Sequence, residues 1–401
     1  MTATRPRSLP LVALWPALLA GCLATATPRP EVPRLPPGVP VLRVQAFSDD
    51  GEVRLDGHIV GVPSTARIAV DREGNILIAV PGRTGAGGGI LRKFSPGLDP
   101  VWTVSFAGLP GHEERFTAFT FTPGRNDPWL ASKEMPTEGT AGSPNWVFRK
   151  FTAAGVLSFS RSACFGGCNG IPTAILPAPK GGWIVVGIEE KVSVITHFSA
   201  TGWPEWTWID EGAHLVGAAT NESADVYACG VRPVPGGPAW EVVKLSREGK
   251  LVWTRSFTAG RFAQHPARAN AIAATVSGVV VAGTRTGPAL PPADDWQVKA
   301  WLYDGSTAWE DTLGAWDDRM NVSNDEARAV ALAEDGSAFV LGEVAPPPPG
   351  VRALNGQSGP VLRRYDASGA LVWSRTTAAA QALGLGPNGL AITAGVVLTG
   401  P

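Results

Sequence analysis

One pattern recurs six times along this chain: an apolar strand ending in a Lys or aromatic pair, a turn with Gly, then a strand carrying an aromatic residue. It reads LRKFSPGLDPVWTVSF at 91–106, FRKFTAAGVLSFSRS at 148–162 and THFSATGWPEWTWI at 196–209. It returns as VKLSREGKLVWTRSF at 243–257, AWLYDGSTAWEDTL at 300–313 and RRYDASGALVWSRT at 363–376. The second-strand column is Trp102, Phe159, Trp206, Trp253, Trp309 and Trp373, at intervals of 47 to 64 residues. The first-strand column is Phe94, Phe151, Phe198, Leu245, Trp301 and Tyr365. A unit this short cannot bury its own apolar face, so repeats must stack on one another.

A second two-strand pattern precedes each unit. ARIAVDREGNILIAV (66–80) is the clearest, with relatives at 174–187, 217–230, 271–283 and 329–342 and a looser one at 117–132. Each repeat therefore carries four antiparallel strands, A to D from the inside outward. Two incomplete units remain. ALGLGPNGLAITAG (382–395) is an A–B pair, and VLRVQAFSDDGEVRLDGHI (41–59) is a C–D pair with Phe47 and Leu55 in the aromatic columns. Together they make one more unit. The reading is all-β: a seven-bladed β-propeller of four-stranded antiparallel blades, its ring closed by both termini, with eight or another number of blades as the alternative. Closure removes the sheet edges that would template aggregation. The absence of GH…WD dipeptides argues against a WD40 protein.

Composition supports a packed chain. Hydrophobic residues make up 44% against 17% charged, and Gly 48, Pro 36 and Trp 15 suit many turns and a repeated packing role. Lys+Arg 34 against Asp+Glu 35 leaves a net charge of -1, without the basic excess that nucleic acid requires.

The N-terminus carries a second signal. Arg5 and Arg7 precede an apolar stretch from Leu9 to Ala20 that is too short to span a bilayer as a helix. It ends in Leu19-Ala20-Gly21-Cys22, which resembles the bacterial lipobox. The resemblance implies removal of residues 1–21 and lipidation of Cys22. Leu23 in place of Asp favours the outer membrane. Residues 22–40, with six prolines between Pro28 and Pro40, form an extended spacer, and the propeller occupies 41–401.

The repeats themselves resemble secreted bacterial propeller repeats of the SBBP-like type found in lipoproteins, in a myxobacterial style. The residues that carry the resemblance are Asp71, Gly74, Asn75, Lys93 and Trp102, then Lys244, Gly249 and Trp253, with His197 and Ala300 replacing the Lys in two blades. It implies an architecture and says little about a ligand. The repeats are also similar to PQQ-type quinoprotein propellers, which use vicinal cysteines; no adjacent Cys pair exists here.

Strand parity places the A–B and C–D turns on one face and the B–C and D–A connections on the other. The first set is short and Gly-rich. The second is long, as at Lys133–Asn145, Arg285–Asp295, Glu343–Pro360 and Gly314–Glu326, so this elaborated face is the expected binding surface. Phe116, Phe165, Phe262 and Trp316 fall in D–A connections as candidate aromatic anchors. Trp146, Trp240 and Trp296 recur just before strand C and read as blade packing. Cys164 and Cys168 are a disulfide candidate in an exported chain, with Cys229 a buried thiol or the alternative partner. Asp317 to Glu326 offers oxygen ligands without calcium-loop spacing, and no metal or cofactor is expected.

No catalytic motif is present, and His112-Glu113-Glu114 is the one tight His–carboxylate group. The expectation is a monomeric, lipid-anchored envelope propeller that binds or scaffolds a protein or polysaccharide partner and no nucleic acid. The alternative is a hydrolase, lyase or PQQ-type enzyme whose groups converge from separate blades.

Overall fold

Short apolar runs bounded by Gly- or Asp-containing turns become antiparallel strands, and among the described residues 28 strands form seven four-stranded sheets. The computed structural model describes residues 40–82, 87–122, 125–139, 144–163, 170–235, 237–257, 267–286, 294–313, 325–346 and 358–398. The chain enters through β1 (Pro40–Phe47) and β2 (Val53–Val60). Blade 1 is β3 (Arg67–Val70), β4 (Ile76–Pro81), β5 (Gly89–Phe94) and β6 (Pro100–Phe106). Blade 2 is β7 (His112–Phe121), β8 (Pro128–Pro136), β9 (Asn145–Phe151) and β10 (Leu157–Ala163). Blade 3 is β11 (Ile171–Pro177), β12 (Trp183–Glu189), β13 (Val192–Phe198) and β14 (Pro204–Glu211). Blade 4 is β15 (His214–Thr220), β16 (Val226–Val234), β17 (Gly237–Leu245) and β18 (Leu251–Phe257). Blade 5 is β19 (Arg268–Thr275), β20 (Gly278–Thr286), β21 (Asp294–Leu302) and β22 (Thr307–Leu313). Blade 6 is β23 (Glu326–Leu332), β24 (Ala338–Val344), β25 (Gly359–Tyr365) and β26 (Leu371–Thr376). The last strands are β27 (Ala382–Leu385) and β28 (Ala391–Leu398).

The seventh sheet runs β2-β1-β28-β27, with Val44 opposite Ala394 and Phe47 opposite Ala391. The molecule is thus a seven-bladed β-propeller, and one blade takes two strands from each end of the chain. The innermost strands of successive blades touch all the way round. Neighbours cover each blade on both sides, so the first part of its second strand is buried: Ile76, Leu77, Ile78 and Ala79 have no exposed surface.

Two repeat columns explain the joints between and within blades. The outer-strand indoles reach the next blade's C–D turn. Trp102 donates from Nε1 to the Ala153 carbonyl (3.0 Å), Trp206 to Arg247 (3.1 Å), Trp253 to Tyr303 (3.1 Å) and Trp373 to Asp49 (2.7 Å). Two residues after each acceptor stands a glycine at positive φ: Gly155, Gly249, Gly305 and Gly51. A methyl group on Gly249 would sit 2.5 Å from the Trp206 ring, so Gly249→Ala strains the backbone and displaces the indole. We expect it to cost roughly 2 kcal/mol, read from urea unfolding. The joint from blade 7 to blade 1 differs. Leu55 replaces the indole, Leu98 takes the turn position with φ 70°, and its side chain packs onto Gly57.

The Asp and Lys columns of the repeat close blades 1, 2 and 4 internally. Lys93 lies 3.0 Å from buried Asp71, Lys150 3.3 Å from Asp127 and Lys244 3.3 Å from Asp225, tying strand C to the A–B turn. His197, in the same column of blade 3, places Nδ1 3.0 Å from Glu205 instead. These polar positions hold the fold together.

Candidate functional site

In blades 2 to 6 the innermost strand is bulged at one place: between Phe116 and Ala118, Pro172 and Ala174, Leu215 and Gly217, Ala269 and Ala271, and Ala327 and Ala329. A bulge re-aims the extra residue. Here those residues are Thr117, Thr173, Val216, Asn270 and Arg328. Two of them bind the next blade: Thr173 Oγ1 donates to the Leu215 carbonyl (2.9 Å) and Asn270 Nδ2 to the Ala327 carbonyl (2.9 Å). The register also fixes the position that follows the bulge. It holds Ala118, Ala174, Gly217, Ala271 and Ala329, with Ala382 in blade 7 and Arg67 in blade 1 at the same distance from the A–B turn. Small side chains let the inner strands crowd together, and Arg67 breaks the rule.

Arg67 opens onto a cavity of about 660 Å³ between blades 1 and 2, on the elaborated face. Ser64, Thr65, Arg115, Glu113, Pro81 and Met135 also line it. Arg67 is half-buried and Arg115 exposed. Neither guanidinium has a hydrogen-bond or ion-pair partner among the described residues. Burial, and next the charge of Arg115, push the Arg67 guanidinium below its ordinary pKa.

The cavity wall behind them is tied by buried polar contacts. Glu114, 4% exposed, is ion-paired with Arg149 and accepts from Ser132 Oγ and from the Gly88 backbone N–H (2.9 Å). Glu134, also buried, accepts from the Leu109 N–H (2.9 Å). His112 turns away from both carboxylates, with Nδ1 3.2 Å from the Pro110 carbonyl. In the His112-Glu113-Glu114 run, His112 and the structural carboxylate Glu114 are therefore buried and Glu113 alone is exposed at the rim.

A second hollow on this face, about 400 Å³, spans blades 4 to 6. In it Arg328 pairs with Glu326 (2.9 Å) and Glu343 (3.1 Å), and Arg268 has no partner among the described residues. The short-turn face has hollows too, of about 610 and 590 Å³ across blades 2 to 4. The latter mixes Lys180 and Arg247 with Glu205, Glu222 and Glu248, and burial disfavours the charged form of His197 beside them. Among the described residues no group of three or more His, Cys, Asp or Glu side chains comes together as metal ligands.

Of the anchors expected from sequence, Phe116 is corrected. It lies within β7 and is 1% exposed, with its ring 5.8 Å from Phe106 and over Gly89. The position before the bulge is a core position in every bulged blade, filled elsewhere by Pro172, Leu215, Ala269 and Ala327, so an aromatic there packs inward. Part of the long B–C connection expected from Lys133 is also strand, because β8 runs to Pro136 opposite His112. Trp146, Trp240 and Trp296 sit inside strand C, at most 1% exposed, as blade packing. Cys22, Cys164, Cys168, Phe165, Phe262, Trp316 and residues 317–324 lie outside the described residues. Cys229 is a free, fully buried thiol, and burial raises its pKa.

Sequence reasoning missed Arg67, although its signal was present. Aligning ARIAVDREGN with the other inner pairs sets one arginine against a column of Ala and Gly.

No family model and no curated protein matches the chain. Among solved structures it is similar to the WD40 domain of Toxoplasma gondii coronin, at 13% identity and TM-score 0.48, over 92% of this chain and 88% of that one. It is similar also to a protein from Lactobacillus plantarum, at 11% identity and TM-score 0.48, over 84% and 96%. A protein of unknown function from Bacteroides caccae gives 10% identity and TM-score 0.44, over 86% and 98%. The order of the seven sheets carries the fold assignment without them.

Proposed function

We propose that this chain is a binding module of the bacterial cell envelope, held by lipid on Cys22, that presents the elaborated face of its ring to a protein or glycan partner. The observation that carries the binding role is the contrast between two sets of polar residues. The Asp–Lys positions of the repeat are satisfied inside the blades, whereas the arginines over the cavity between blades 1 and 2 have no partner among the described residues. Surfaces that keep unpaired charge in a concavity are suited to recognition. The anchor rests on Leu19-Ala20-Gly21-Cys22 and the Pro-rich spacer after it, and Leu23 favours the outer membrane. Several acyl chains on one cysteine, each methylene contributing about 0.8 kcal/mol, would hold the chain firmly at a bilayer.

Two measurements test this. Metabolic labelling with palmitate should mark the wild-type chain and not Cys22→Ala, and that variant should leave the membrane fraction. Label on the variant, or wild-type protein found soluble, refutes the anchor. Pulldown with the lipidated chain should recover an envelope protein or polysaccharide. Recovery of neither counts against the binding role.

A further inference from the structure

The geometry between blades 1 and 2 points to a binding site for a small hydroxylated monocarboxylate, the chemistry of a uronic acid unit, clamped by Arg67 and Arg115. This rests on the binding reading above and names the ligand class for its face.

Three observations converge. First, Arg67 stands where the other six blades carry Ala or Gly, so the packing of inner strands does not ask for a long cationic side chain there. A half-buried guanidinium without a partner is costly, and proteins keep such groups where a ligand completes them. Second, Arg115 faces the same cavity, acts on Arg67 electrostatically and, like it, has no partner among the described residues. Two guanidinium forks over one hollow match the two oxygens of a carboxylate. Third, the surroundings fix the charge and the body of the ligand. Glu114 is already neutralised by Arg149, so the cavity holds two arginines against Glu113, one positive charge in excess. A monoanion balances that excess, whereas a dianionic phosphate would overshoot it beside Glu113. Ser64 and Thr65 offer hydroxyls to a polyol, and Pro81 and Met135 an apolar patch for a sugar ring. About 660 Å³ suits one or two sugar units.

The test is calorimetric titration of the full chain in detergent with glucuronate, glucose, inorganic phosphate and a glutamate-containing tripeptide. Glucuronate should bind, glucose should not, and binding should weaken as sodium chloride is raised. Arg67→Ala and Arg115→Ala should each lower glucuronate affinity at least tenfold, and Arg268→Ala, in the other hollow, should leave it unchanged. Arg67→Ala installs the residue that the column otherwise carries, so its melting temperature should match or exceed the wild type. Should it fail to fold, the exposed Arg115→Ala carries the test.

Tighter binding of phosphate or tripeptide than of glucuronate overturns the assignment in favour of that ligand. Absence of glucuronate binding by folded protein, or unchanged affinity in the Arg115→Ala variant, overturns the site. If a partner is nonetheless recovered by pulldown, the binding module stands and its ligand lies elsewhere.

Discussion

Trp373→Ala should destabilise the propeller by about 3–5 kcal/mol, the cost of truncating a buried aromatic without local collapse. Trp373 is 7% exposed and sits at the joint where blade 6 meets the strands supplied by residues 40–60. Its ring stacks 6.5 Å from Phe47 and meets Phe339 edge-on at 5.9 Å. Its Nε1 donates to the Asp49 carbonyl, and the indole fills the space that a side chain on Gly51 would need. Of these four partners, all but Phe339 belong to the N-terminal strand pair and its turn, so the variant loosens the ring where it closes. Urea unfolding gives the free energy, and limited proteolysis should cut residues 48–52 sooner in the variant than in wild type. Trp373→Phe keeps the stacking and loses one hydrogen bond, about 1 kcal/mol. A loss below about 1 kcal/mol for Trp373→Ala would show that the ring does not depend on this joint.

Arg149→Leu should be comparably damaging, for an electrostatic reason. The guanidinium, on a residue 3% exposed, pairs with Glu114 and lies 5.0 Å over the Phe106 ring. Removing it leaves a buried carboxylate with two donors, Ser132 Oγ and the Gly88 N–H. Breaking one side of a buried pair typically costs about 3–5 kcal/mol, because the remaining charge stays desolvated. Removing both charges in the Glu114→Leu/Arg149→Leu double variant should recover much of that loss, since the pair as a whole is near neutral against apolar replacements. Equal losses in the single and double variants would mean that Arg149 acts through packing on Phe106 and not through charge. Because Glu114 also lines the cavity and would lose its neutralising partner, the single variant should weaken anion binding as well.

Fold and site were legible to different degrees. The aromatic columns, the turn glycines and the split seventh blade were readable because each repeat encodes the same local register, and aligned errors would put every side chain on the wrong face. Phe116 was misplaced because β7 begins at His112, several residues before the apolar alternation that marks the inner strand, and the bulge after Phe116 hides its continuity with that alternation. Asp71 and Lys93, prominent in the motif, are joined to each other across the blade and not to a ligand. Arg67 was overlooked because its meaning lies in a column of other residues' smallness.

By itself the sequence determined the all-β class, the repeat and the blade built from residues 40–60 and 382–398. These follow from short-range order: alternation, turn chemistry and spacing along one chain. The tertiary structure alone decided which polar residues are consumed inside blades and which face a cavity. Arg67, Arg115 and Glu114 come from different blades or positions in the strand, and their charges meet or miss one another according to how two sheets pack. Coulombic partnership depends on distance and burial in space, and a repeat pattern carries neither.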